Sequence, residues 1–593
     1  MKKLIGTIAM MALAISTVLA APALPGPFSV SQPDGSRITI RQYGDEYHHW
    51  TETTDGMLVV NTLSGCFVAT IADDGTLQPS RLLAHEAPQR SMAEREAMQQ
   101  QKNRRHLIEQ RALREQAKHM VPSISESGRY LPHEGSPRVL VILTAYQDVP
   151  FTVNDPVKAF NQYLNGDDQV NLGNMNSLNV ASVRQYFNVS SHGHFTPQFD
   201  VVGPVTLPDS MAYYGKNENM SALCRDAVAL VKDSVDFRLY DNDGDERAEL
   251  VYIIFAGYGE NQRGPSEAMW AKTSTLNMTV DSTIVTRFCC GSELFVPDPV
   301  EYKDFINGIG VFTHEFSHAM GLPDIYATSS TGYINNQTME RWDIMDQGIY
   351  NYNGFAPAPY LAWEQEIMGW TEVEPLVNNT QSITVLPLIE EGGKAYKMPN
   401  ADNERESIYM ENIQLRGYNY KAAGHGLLVY HVAYPYNNVN MGDSPNNKAS
   451  RPAVSVVPAD SLFIAIWQTT SYPQYGGTYT LSQYTASFEG DPFPGKANVT
   501  ELTDSMRLPN FQFYGDGEML PVGRSLTAIS EDASTGQVSF TFVGPAEQTA
   551  ISELVVSANK TSAVYDLMGR QLINGHQLSK GLYIVSGRKV LVR

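Results

Sequence analysis

The spacing of apolar residues changes character along the chain, and the changes divide it. Residues 26–85 alternate apolar and polar positions in short runs, predicting strands at 37–41, 48–54, 57–61 and 67–71. Turn signals separate them at Pro33-Asp34-Gly35, Asp55-Gly56 and Asp74-Gly75. Residues 91–118 then lose Gly and Pro and fill with Gln, Glu, Arg and Lys. Ser91 and Glu94 have capping-box spacing, so a solvated, charged helix is predicted. A stretch bearing Pro and Gly, 121–137, ends this unit.

From Val139 the pattern is that of a buried sheet. Val139-Leu140-Val141-Ile142-Leu143 is continuously apolar, as is most of 250–256, which predicts strands inside a sheet core. Helical spacing covers 155–164, 180–187 and 221–235. Beyond Trp370 helical periodicity vanishes. Short strand-like runs, such as 426–432, 453–457 and 537–542, alternate with Gly, Pro and Asn turns, predicting a β-sandwich. Residues 552–593 read as a last, small β unit.

The N-terminus changes the picture of where the chain works. Lys2 and Lys3 precede an apolar run over 4–19, short for a membrane span, and Val18 and Ala20 put small residues before a cleavage point. Cleavage is expected after Ala20, followed by passage through the periplasm. No transmembrane segment is expected in the mature chain. The net charge of -21 excludes the basic face that a nucleic-acid binder needs. Cys66, Cys224, Cys289 and Cys290 form no disulfide framework for an exported protein of this length, and mostly buried thiols are expected.

The chemistry concentrates in Thr313-His314-Glu315-Phe316-Ser317-His318-Ala319-Met320-Gly321-Leu322-Pro323-Asp324. His314 and His318, four apart on a helix, leave the same face one turn apart and can share one zinc ion. Glu315 is the expected general base, taking a proton from a water whose pKa the metal lowers. A catalytic site needs a third protein ligand and an open position. Gly321 lets the chain leave the helix through a left-handed conformation, Pro323 stops the helix, and Asp324 can return as that ligand. Its separation from His314 equals that of the third histidine in the long metzincin motif. Met345, in Trp342-Asp343-Ile344-Met345-Asp346, is the candidate Met-turn residue, and Tyr350 or Tyr352 is a candidate oxyanion stabiliser.

A second cation is suggested upstream. Asp241, Asp243 and Asp245 alternate in a tight loop that Glu249 can close, the oxygen set of a calcium site. The loop departs from an EF-hand in having Glu246 where Gly is wanted and no Glu at the twelfth position.

His314 to Asp324, with Ile325 and Tyr326, resembles the motif of the immune inhibitor A-like metallopeptidases. The stretches 139–151, 186–193, 241–245, 256–260, 342–348 and 426–431 are similar to the same family. The resemblance implies an α+β, metzincin-like zinc peptidase domain at 136–372, a prodomain at 21–130 behind the signal peptide 1–20, and zymogen synthesis. It also implies zinc on His314, His318 and Asp324, with calcium at the acidic loop. The sandwich is then expected at 373–545. Removal of the prodomain is expected between Arg104 and Arg129, and Cys66 is a candidate zinc-blocking thiolate. Residues 564–570 and 580–592 resemble the C-terminal sorting domains of Bacteroidetes type IX secretion cargo. This implies a sorting unit at 550–593 and an outer-membrane secretion machinery as partner. The expected activity is hydrolysis of extracellular proteins or peptides. The rival reading is a catalytically degenerate surface binding protein or adhesin on a peptidase scaffold.

Overall fold

The N-terminal unit is built as its alternating pattern demands. In the computed structural model, strands Pro27–Ser31, Arg37–Gly44, His49–Thr53, Leu58–Thr62, Gly65–Ile71 and Leu77–Leu83 pair in chain order as an antiparallel meander. The model describes residues 18–545 apart from 46–48, 120–129, 167–176, 217, 298–301, 330–332, 334–335 and 516–517, together with 564–566, 571–572, 581–585 and 588–592. The charged helix, Met92–His119, has the expected Ser91–Glu94 cap. It is less solvated than its composition suggests. Buried Gln101 crosses to the sheet, donating to the Leu58 and Ala69 carbonyls and accepting from the Leu58 N–H, so a polar side chain joins the helix to two strands.

The next unit carries the site. Its sheet runs in the order Val18–Ala20, Lys272–Val280, Thr283–Leu294, Val251–Tyr258, Arg138–Ala145 and Gln198–Thr206. From Thr283–Leu294 onward all neighbours are parallel, and Lys272–Val280 is antiparallel. Both faces are covered, which explains the unbroken apolar run at Val139. Val139, Val141, Tyr252 and Ile254 pack in one core with the helices Pro156–Asn165, Val183–Ser190 and Ile309–Ala319. Leu140, Ile142, Val251 and Ile253 pack in another with the helix Met220–Val231. The unit has the mixed α and β content expected, with helices on both faces of a mainly parallel sheet. Parallel pairing forces each crossover onto a face of the sheet.

Beyond Trp370 two sheets share a core, as sandwich-like packing requires. One comprises Val373–Pro375, Ala395–Asn400, Asn403–Ile413, Gly426–Ala433 and Val454–Val456. The other comprises Gln381–Val385, Gln537–Val543 and Ser525–Asp532. Met398, Ile408 and Val429 of the first meet Val385, Phe540 and Leu526 of the second. The unit expected at 550–593 lies largely outside the described residues. The described strands there, Val564–Tyr565, Gln571–Leu572, Gly581–Val585 and Arg588–Val592, form an antiparallel sheet. Most of the expected signal peptide, 1–17, also lies outside them. All four cysteines are free and buried. Among the described residues no helix is long and apolar enough to cross a membrane.

Candidate active site

The helix Ile309–Ala319 is buried along its whole length, and neighbours satisfy its N-terminus: Asn179 Oδ1 accepts the Ile309 N–H at 2.9 Å. It ends as the sequence predicts. Gly321 has φ of +101°, and the Leu322 N–H returns to the Ser317 carbonyl at 3.1 Å, closing the last turn. A side chain at Gly321 would also crowd the Tyr130 ring, with a Cβ 3.1 Å from Cδ2. The chain leaving this turn carries Asp324 back under the helix.

His314 Nε2 and His318 Nε2 lie 3.3 and 3.4 Å from Asp324 Oδ1, all three side chains being nearly or wholly buried. The other ring nitrogens are committed. His314 Nδ1–H donates to the Ile344 carbonyl at 3.0 Å and His318 Nδ1–H to the Leu322 carbonyl at 2.8 Å. Those bonds fix the tautomer that leaves both Nε2 lone pairs facing the carboxylate. The two Nε2 atoms and both Asp324 oxygens have no hydrogen-bonding partner beyond one another. Two acceptor nitrogens and a carboxylate brought together in an apolar interior repel unless a cation stands among them, and this donor set suits zinc.

Glu315 faces the same space. Burial pushes its carboxyl up to about 7, and Thr273 opposes the shift by donating to Oε2 at 2.8 Å. The other oxygen meets the N-terminal segment. Val18–Ala20 pairs antiparallel with the edge strand, Val18 opposite Ser274 and Ala20 opposite Lys272. Past it, the Ala21 N–H donates to Glu315 Oε1 at 2.8 Å. Trp270 Nε1–H donates to the Ala21 carbonyl at 2.8 Å and the Tyr350 hydroxyl to the Pro22 carbonyl at 2.6 Å. The Leu24 N–H reaches the Asn261 carbonyl at 2.9 Å. Ala21, Ala23 and Leu24 are at most 5% exposed. An extended peptide thus fills the cleft in front of the paired histidines.

The remaining predicted residues divide. Met345 is fully buried beneath the site, and its carbonyl accepts the Ile325 N–H at 2.8 Å, next to Asp324. Tyr350 reaches the cleft. Tyr352 does not: it adopts a left-handed conformation and packs on Tyr420 and the Lys421 ammonium. Cys66 is not at the metal site either. It lies in the core of the N-terminal sheet beside Ile38 and Val68, its thiol pushed up to about 12 by burial, and the residue this unit sets against Glu315 is Ala21. Sequence reasoning missed Thr273, Trp270 and the threading segment, none of which carries a motif.

Asp241, Asp243, Asp245 and Glu249 each offer an oxygen within 4.8 Å of the others. Asp241 accepts the N–H groups of Gly244 and Glu246 at 2.7 and 2.9 Å, and Glu246 takes the left-handed φ of +68° that the missing glycine would have taken. Asn242 bonds the Arg138 N–H and carbonyl, tying the loop to the strand Arg138–Ala145. Burial pushes Glu249 up to about 7.

Residues 134–368 match the immune inhibitor A peptidase M6 catalytic domain. Over 377 residues the chain is 22% identical to the pre-pro-metalloprotease PrtV of Vibrio cholerae, covering 58% of this chain and 39% of that protein. Over 255 residues it is 24% identical to immune inhibitor A of Bacillus thuringiensis, covering 36% of each. The chain therefore spans well under half the length of these curated relatives. The matched segment contains His314, Glu315, His318 and Asp324, and it is a metallopeptidase domain.

Proposed function

We propose that this chain is an exported zinc endopeptidase of extracellular proteins or peptides, made as a precursor whose own N-terminal segment fills the substrate cleft. The observation that carries this reading is the meeting of three buried metal-ligand side chains, the Glu315 carboxylate and an extended peptide backbone in one cleft. His314, His318 and Asp324 would hold zinc, which supplies a Lewis acid and lowers the pKa of water. The rest is done by the chain. Edge strand Lys272–Val280 binds a peptide antiparallel, as it binds Val18–Ala20. Trp270 and Tyr350 grip the carbonyls of the next two residues. Glu315 Oε1 sits at hydrogen-bond distance from a backbone nitrogen, where it can hand a proton to a leaving amine.

Occlusion by residues 21–24, which stay with the chain after the expected leader 1–20 is removed, supports zymogen synthesis, since no substrate can take the same hydrogen bonds until that segment leaves. Calcium at the Asp241–Glu249 loop would neutralise four crowded carboxylates and brace the Arg138 strand. Secretion through an outer-membrane machinery rests on the tail residues alone. Glu315→Ala tests the central reading: zinc content and melting temperature should persist while casein hydrolysis by the processed enzyme falls by about 10²–10⁴-fold. Hydrolysis at the wild-type rate would overturn it.

A further inference from the structure

Beneath the histidines lies a set of buried carboxyls that the reaction does not use. Asp343 and Glu364 are both wholly buried and come from separate segments, the turn before Met345 and the helix Ala362–Ile367. Each spends one oxygen on a backbone donor. Asp343 Oδ1 accepts the Met345 N–H at 2.7 Å, and Glu364 Oε2 accepts the Leu361 N–H at 3.0 Å. The remaining oxygens, Asp343 Oδ2 and Glu364 Oε1, have no donor. The two side chains face each other. The other titratable groups facing them are the carboxyls of Glu411 and Asp346 and the phenols of Tyr186 and Tyr360, none of them a cation. Neither phenol serves the pair, because Tyr186 donates to the Ala358 carbonyl and Tyr360 is bonded to Ser317.

We propose that Asp343 and Glu364 share a single proton, and that this acid pair positions His314 through the backbone of the turn it clamps. One O–H between the two orphan oxygens satisfies both and leaves one charge where two could not coexist in an apolar interior. The clamp matters because of what the turn touches. Asp343 holds the Met345 N–H, the intervening Ile344 carbonyl takes the Nδ1 proton of His314, and the Met345 carbonyl takes the N–H of Ile325 beside Asp324. Two of the three candidate ligands are thereby referred to one turn, and a single proton ties that turn to the helix behind it. Asp343 and Glu364 are positioning residues, and the inference rests on the zinc-peptidase reading for its functional meaning.

Glu364→Gln separates the proton from the shape. A carboxamide donates an N–H to Asp343 at every pH, whereas Glu364→Ala leaves the orphan oxygen bare. In the purified full chain at about pH 8, infrared spectra should show a protonated-carboxyl component that persists in Glu411→Gln, Glu340→Gln and Asp491→Asn and is lost in Glu364→Gln. In competition with a chromogenic chelator, wild-type zinc retention should fall on the alkaline side, and in Glu364→Gln that fall should move up by about one pH unit or more. Glu364→Ala should hold zinc at least about tenfold more weakly, as loss of support behind a ligand does. Superimposable retention profiles for wild type and Glu364→Gln, with no carboxyl band lost, would overturn the shared proton, whether or not the alanine variant folds. A wild-type chain that shows the band but binds no zinc would leave the pair standing and sink the metallopeptidase reading instead.

Discussion

If residues 21–24 hold the cleft shut once the leader is gone, weakening their grip without cutting the chain should wake the enzyme. Leu24 suits this test: it is 5% exposed, packs in the main core, and its N–H bonds the Asn261 carbonyl rather than Glu315. Its side chain contributes about 2 kcal/mol of burial that is lost when the segment lifts away. Leu24→Ala should therefore raise the open fraction of the precursor by about 30-fold, at about 1.4 kcal/mol per tenfold. The assay is cleavage of a quenched fluorescent peptide by precursor beginning at Ala21, its integrity checked by N-terminal sequencing. Glu315→Ala is run alongside to expose contaminating protease. Processed wild-type and Leu24→Ala enzymes should be equally active, because the substituted residue has then been removed. An intact Leu24→Ala precursor as silent as wild type, with normal activity after processing, would refute occlusion as the cause of latency.

Three further outcomes follow from the same geometry. Tyr350→Phe removes the hydroxyl that grips the Pro22 carbonyl, so peptide KM should rise by about five- to tenfold with kcat little changed; a kcat loss of about 100-fold at unchanged KM would make Tyr350 an oxyanion donor instead. Burial pushes Glu293 up to about 7, so the folded chain holds a proton the unfolded one has lost above about pH 4.5. Its contribution to stability then declines as pH rises from there through about 7. Glu293→Gln should lower the melting temperature, because three backbone N–H groups share that carboxylate, yet flatten the decline between about pH 5 and about pH 8; parallel melting curves would contradict this. Calcium should raise the melting temperature of wild type but not of Asp241→Asn. Because Glu249 must ionise to ligate, calorimetry should find tighter binding above about pH 7 than below it, and equal affinities would remove Glu249 from the site.

How much of this could be read from the sequence depends on the distance over which each feature is specified. His314, Glu315, His318 and Asp324 lie within eleven residues, and one helix, one glycine and one proline fix their relation, so the donor set is legible in a short string. Four strands of the meander and the two central parallel strands were legible for a similar reason, because burial of one face or two writes itself into local apolar spacing, whereas Gln198–Thr206 and Thr283–Leu294 carry more polar residues and were not read. Tyr350 and Tyr352 differ in nothing local. A left-handed residue inside the turn sends one ring into the cleft and the other onto Lys421.

The threading segment was illegible for a deeper reason. Its contacts span 294 residues to Glu315 and 328 to Tyr350, and they run through backbone N–H and carbonyl groups that every residue has. Small residues around position 20 are what a cleavage site needs, and they are also what fits a narrow cleft between an edge strand and a buried helix. The two demands select the same residues, so the sequence pattern could report only the first. The Asp343–Glu364 pair was hidden in the same way. Each acid alone reads as a turn or helix-start residue, and only the fold, by bringing two orphan oxygens together away from water, gives the pair a chemistry that neither has alone.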